Sequence, residues 1–196
     1  MLIAFEGGEG SGKSTQARRL ADRIGAILTH EPGATTIGGS IRALLLDPAT
    51  VGLDHRAEAL LMAADRAQHV TEVIAPALAA GRHVVTDRYL YSSLAYQGYG
   101  RGLPLDEVRA LSAAAGAPEA DLVVLLTISP DVRASRLRRA LDRFEADGDD
   151  FHERVDAGFR ALAAADPDRW VVVDGDGTVD EVTARVWAVA SAMITG

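Results

Sequence analysis

Short apolar runs alternate with amphipathic stretches along the whole chain. The runs at residues 2–5, 26–29, 83–86, 122–128 and 170–173 are candidate strands. Several are apolar at every position rather than every second one, the pattern of parallel strands covered on both faces. Between the first two, Ala17, Leu20, Ala21 and Ile24 recur at i, i+3, i+4 and i+7, which predicts a helix that Gly25 ends. A longer helical pattern covers residues 56–80, with Leu60, Leu61, Ala64, Ala67, Val70, Ile74 and Leu78 on its apolar side. Pro76 has no amide hydrogen and is expected to kink that helix or end it early. Further helices are predicted over 105–115, 130–140, 150–164 and 179–194. This alternation implies an α/β fold of three layers, a five-stranded parallel sheet flanked by helices. No repeat, low-complexity tract or linker divides the chain, so residues 1–196 are expected to form a single domain. Residues 142–150 break the pattern: five acids, Gly148 and little apolar mass predict a mobile loop after an arginine-rich helix.

Composition narrows the functions available. A formal net charge of −8 argues against a nucleic-acid surface, which needs a basic excess, although one nucleotide requires only a local cluster. The chain has no cysteine, which removes disulfides, thiolate metal ligands and cysteine nucleophiles. The first residues lack the charged start and apolar stretch of a secretion signal, and no apolar run reaches the ~18 residues that span a bilayer. A cytoplasmic protein with no membrane partner is therefore expected. Lys13 is the only lysine, asparagine is absent, and arginine carries nearly all the positive charge. This skew reads as codon bias, against which a lone lysine in a glycine-rich motif points to use.

That motif is Gly7-Gly8-Glu9-Gly10-Ser11-Gly12-Lys13-Ser14, with Thr15 following, and it fits G-x-x-x-x-G-K-[ST]. An apolar strand precedes it and an amphipathic helix follows, the context such a phosphate loop requires. Glycines allow backbone N–H groups to turn inward around phosphates, and the helix N-terminus adds its positive dipole end. Lys13 is expected at the β- and γ-phosphates and the Ser14 hydroxyl at Mg²⁺. A guanine-reading Asn/Thr-Lys-x-Asp motif is impossible without asparagine or a second lysine, and the length does not suit a large mechanical ATPase. Small kinases remain.

The sequence resembles the thymidylate kinase family over nearly its whole length. The resemblance rests on ordered strings: His30-Glu31-Pro32-Gly33-Ala34-Thr35, Ile41-Arg42-Ala43-Leu44-Leu45-Leu46-Asp47, Ala63-Ala64-Asp65-Arg66-Ala67-Gln68-His69 and Asp87-Arg88-Tyr89. Ser92-Ser93-Leu94-Ala95-Tyr96-Gln97-Gly98, Gly100-Arg101-Gly102-Leu103, Asp142-Arg143-Phe144-Glu145 and Asp150-Phe151-His152-Glu153-Arg154-Val155 complete them. It implies a P-loop kinase fold with a short lid at about 138–150, Mg²⁺-dependent transfer from ATP to dTMP, and a homodimer built on the 56–80 helix.

By the same resemblance, Arg88 holds the acceptor phosphate and Asp87 orients the Mg²⁺ shell. Arg66, Met62, Pro32, Ser93 and Gln97 surround the base or sugar of dTMP, and Tyr96 crowds the 2′ position. Glu9 has an acceptor-side role. Arg133, Arg136, Arg138, Arg139 and Arg143 place five arginines within eleven residues. The variable positions of the phosphate loop hold no basic residue, so the resemblance is to the design whose catalytic arginine comes from the lid. The candidates are Arg138, Arg139 and Arg143, with Arg136 at ATP and the loop from Asp174 beside adenine.

Three positions depart from the family pattern. His30 stands for an arginine, Ala34 for a glycine that matters if the site needs positive φ, and Met62 for a phenylalanine that stacks on thymine. The lid is about two residues short. These departures bear on the acceptor and leave two alternatives open: a kinase for another nucleoside monophosphate or small phosphate, and a nucleotide-binding module without turnover.

Overall fold

The structure, a computed structural model, describes residues 1–136, 143–144 and 147–194. Five parallel strands, β1 (Leu2–Glu6), β2 (Ile27–His30), β3 (Val84–Asp87), β4 (Leu122–Thr127) and β5 (Trp170–Asp174), line up in the order β2-β3-β1-β4-β5. The chain runs from β1 out to the edge strand β2, returns to β3 beside β1, then crosses to β4 and β5. The winding thus reverses beside β1, where open α/β sheets bind ligands at the carboxyl edge. Each strand ends in a polar residue at that edge. His30 and Phe5 pair with Asp87, and Thr127 pairs with Asp174.

Alternate residues of β1, β3 and β4 feed opposite cores. Ile3, Phe5, Val85, Val124 and Leu126 pack with Leu20 of α1 (Lys13–Ile24) and Val186 of α9 (Val179–Ile194). Leu2, Ala4, Val84, Val123 and Leu125 pack on the other face with Ile74, Leu94 and Phe159. This two-sided burial is the reason the strands read as continuous apolar runs.

The predicted 56–80 helix is α3 (His55–His69), a widened turn at Val70–Ile74 and α4 (Ala75–Ala79). Within it, the Ala75 amide reaches back five residues to the Val70 carbonyl. Pro76 follows that wide turn at the start of α4, so the helical path continues instead of stopping. Two helical segments were not foreseen. One is α2 (Thr36–Leu46), capped by Thr35 accepting from the Gly38 amide. The other is α5 (Leu90–Ser93) running into a wide-turned stretch at Leu94–Gly100.

The remaining helices are α6 (Leu105–Ala114), α7 (Pro130–Arg136) and α8 (Asp149–Ala165). The predicted loop ends at Gly148, because Asp149 and Asp150 form the first turn of α8, where acids suit the helix N-terminus. Residues 137–140 of the predicted 130–140 helix lie outside the described residues. Among the described residues no helix is long and apolar enough to cross a membrane.

Candidate active site

The loop between β1 and α1 wraps a cradle. Gly7, Gly10 and Gly12 have φ of 137°, 77° and 90°, and a Cβ on Gly7 would sit 2.3 Å from the Leu126 carbonyl oxygen. Lys13 lies across this loop, donating to the Gly8 carbonyl at 2.8 Å and to Ser11 Oγ at 3.4 Å. Burial, then Arg88, pushes its ammonium below the ordinary lysine range, against the opposing pull of Glu9, Asp87 and Glu6. An incoming polyphosphate would supply the counter-charge that favours the protonated form of Lys13. Thr15 sits exposed in the first turn of α1. Arg136 straps the cradle to the loop after β5, donating to Gly10 O at 3.0 Å, Gly175 O at 3.1 Å and Gly177 O at 3.3 Å. Asp174 begins that loop and accepts from the Asp176 amide at 2.9 Å.

At the ends of the central strands, Ser14 Oγ donates to Asp87 Oδ2. Asp87 Oδ1 is buried without a protein partner. Arg88 is the one non-glycine with positive φ among the described residues, at 67°. That costly conformation carries its side chain back across the phosphate loop. The guanidinium donates to Gly7 O at 3.2 Å, Ser92 Oγ at 3.1 Å and Tyr96 OH at 3.1 Å, and is ion-paired with Glu9. Glu9 is thus explained as the counter-charge of Arg88.

Beyond Arg88 opens a cleft of about 620 Å³. Pro32, Met62, Arg66, Arg88, Ser93, Tyr96 and Gln97 all line it, together with Glu9, Lys13, Ser14 and Asp87. Arg66 is fixed by three partners: Glu31 at 2.8 Å, Ser93 Oγ at 3.0 Å and Ser112 Oγ at 3.0 Å. Behind it, His69 bridges Glu31 and Thr29 at 2.9 and 2.6 Å. Tyr96 is wedged edge-on among Phe144, Phe151 and Phe159. Gln97 Nε2 donates to Glu58 at 2.9 Å while its buried Oε1 has no protein partner.

Sequence reasoning missed three buried acids, Glu6, which braces the Arg88 turn, Glu31, which pairs with Arg66, and Glu58, which pairs with Arg101 and Arg143, and also Arg42 and Phe144 of the cleft wall. Glu31 lies inside a motif already singled out, and that position was its only signal. Arg42 alters the reading of His30. Burial, then Arg42, lowers the His30 pKa, so the imidazole is neutral at pH 7 and Arg42 supplies the fixed charge beside it. Ala34 has no positive φ; Gly33 takes it, at 106°. Among the lid candidates, Arg143 donates to Leu45 O and Glu58, both at 2.7 Å. Arg138 and Arg139 lie outside the described residues.

A phosphate cradle and an arginine-lined cleft that meet at one guanidinium define the class, a P-loop kinase fold. The family model described as thymidylate kinase matches residues 5–186. A thymidylate kinase of Solidesulfovibrio magneticus is 47% identical, covering 99% of this chain and 100% of its own. One from Bifidobacterium longum is 46% identical, covering 95% of each. The crystal structure of thymidylate kinase from Ehrlichia chaffeensis superposes with a TM-score of 0.80 at 30% identity, over 97% of this chain and 98% of that one. The chain belongs to the thymidylate kinase family.

Proposed function

We propose that this chain is a single kinase domain that transfers the γ-phosphoryl group of ATP to the phosphate of dTMP, giving dTDP. The observation that carries this is Arg88, whose guanidinium touches the phosphate loop at Gly7 and the acceptor cleft at Tyr96. A group placed there can neutralise an acceptor phosphate while holding it in line with the donor.

In this reading, the loop amides from Gly7 to Thr15 and the Lys13 ammonium hold the donor phosphates. Arg136 and the loop from Asp174 flank the rest of ATP. Phosphoryl transfer asks for positioning and charge stabilisation rather than covalent help from the protein. Mg²⁺ fits the residues present: a hydroxyl and a carboxylate at hydrogen-bond distance, with one carboxylate oxygen orphaned and buried, match an ion that prefers few protein ligands plus phosphate oxygens. Bound between Ser14 and Asp87, it would neutralise charge on the β- and γ-phosphates. Arg66, fixed by Glu31 and Ser93, offers its guanidinium edge to the base, and Met62 and Pro32 supply apolar walls. Tyr96 crowds the sugar. Arg138 or Arg139 is the arginine delivered by the lid over 138–148.

The outward side of α3 and α4 suits a homodimer, with Leu60, Ala64, Thr71 and Ala75 exposed along one stripe. We place the enzyme in the cytoplasm, where its two nucleotide substrates would be met.

Purified protein incubated with Mg-ATP and a panel of monophosphates tests the assignment. Product is expected from dTMP ahead of every other acceptor; a preference for another acceptor overturns the specificity. Tight ATP binding with no product from any acceptor would favour a module without turnover. Lys13→Ala is expected to lower kcat by ~10²–10³-fold or more while leaving the melting temperature within a few degrees.

A further inference from the structure

Glu58 lies on the inward side of α3, with its side chain fully buried, and joins segments far apart in the chain. Arg101 donates to both of its oxygens at 3.2 Å, Arg143 to one at 2.7 Å, and Gln97 Nε2 to the other at 2.9 Å. Arg143 is held further: its Nε donates to Leu45 O at 2.7 Å and its backbone amide to Leu46 O at 3.2 Å. Arg101 also pairs with Asp147. Arg143 and Asp147 are thereby held on either side of Phe144, whose ring is buried in the cleft wall, edge-on to Tyr96 at 5.9 Å.

We propose that Glu58 is a positioning residue for the acceptor cleft: through Arg143 it seats Phe144 against Tyr96, and through Gln97 it fixes which end of that amide the cleft presents. The inference rests on the acceptor reading above and extends it to residues that touch no substrate. An ionised carboxylate only accepts hydrogen bonds, so Gln97 must turn its NH₂ group to Glu58. Its Oε1 is left as a buried acceptor, suited to an N–H such as that of a pyrimidine ring. Arg143 cannot also serve as a mobile arginine finger while its Nε and Nη2 are committed to Leu45 and Glu58.

Arg143→Leu is the first test, because Arg101 still neutralises Glu58 and the fold is kept. Steady-state kinetics are read with the acceptor that the native enzyme prefers, so an error in the acceptor's identity shows in the panel and not here. KM for the acceptor is expected to rise by about 10-fold or more, with kcat and KM for ATP changed by less than about threefold. Phe144→Ala is expected to reproduce that split, and Glu58→Gln to add a loss of discrimination between thymine and cytosine monophosphates. A fall in kcat of ~100-fold with acceptor KM unchanged would identify Arg143 as the catalytic lid arginine and overturn the proposal. A lower melting temperature with unchanged kinetics in all three variants would reduce the cluster to a structural one and overturn it equally.

Discussion

Glu6 closes β1 immediately before the phosphate loop, and its carboxyl group is wholly buried. It accepts from the Tyr89 and Ser92 amides at 2.9 and 3.2 Å and from Ser92 Oγ at 2.6 Å, which braces the turn that carries Arg88. Desolvation lifts its pKa to about 7 from 4.5, outweighing those hydrogen bonds and the nearby Arg88 and Lys13 charges. The native state therefore holds this proton more tightly than the unfolded chain. Between those two values it binds more protons than the unfolded state, so stability falls as pH rises through the window and levels off above about 7. The integrated effect is roughly 3 kcal/mol. Glu6→Gln, neutral throughout and still able to accept from both amides, is expected to flatten that slope. Urea unfolding of both proteins at pH 5 and pH 8 reads the difference; parallel losses would contradict a neutral Glu6. At this scale the sequence displayed the cations and hid their anchors. Lys13 stands in a motif whose spacing announces phosphate chemistry, and Arg66 and Arg88 stand in strings that carry the family resemblance. Glu6, Glu31 and Glu58 matter only because folding strips them of water beside a guanidinium or an amide, which no local pattern records.

Among the elements, strands were legible as continuous apolar runs and the long helices by their periodic burial, whereas α2 and the stretch at Leu94–Gly100 were not. Both contain glycines, which local propensity counts against a helix. Tertiary packing reverses the sign. A Cβ on Gly38 would lie 2.4 Å from Asp65 Oδ1, so α2 can approach α3 only with glycine there. A Cβ on Gly100 would lie 2.6 Å from the Phe151 ring and 2.9 Å from Val155 Cγ2, so the wide-turned stretch meets α8 by the same device. Gly100→Ala is accordingly expected to destabilise the protein by about 1–3 kcal/mol through overpacking, although alanine is the better helix former. Because Phe151 also packs on Tyr96, the variant should raise acceptor KM as well. Chemical denaturation checks the first effect and steady-state kinetics the second. An unchanged or raised denaturation midpoint would mean that the two elements have room to spare.

For the molecule as a whole, α3 faces two ways. Its inward side presents Met62 and Arg66 to the cleft and buries Glu58, while Leu60 on its outward side is 55% exposed. Packed beside it, α2 exposes Ile37 and Leu44 by 55% and 46%. Large aliphatic side chains in that number on two adjoining helices are costly to leave in water, and a second copy of the same face would cover them with twofold symmetry. A stable dimer buries about 1,600 Å² in total, which an interface of two helices from each copy can supply. Sedimentation velocity at micromolar concentration is expected to give a dimer for the native protein and a monomer for Leu60→Arg, since an unpaired guanidinium would be buried against its own symmetry mate. Covering α3 from outside also stiffens the helix that carries Arg66, so the monomeric variant should lose acceptor affinity before it loses ATP affinity. A native protein that sediments as a monomer would leave the apolar stripe unexplained and detach dimerisation from the acceptor site.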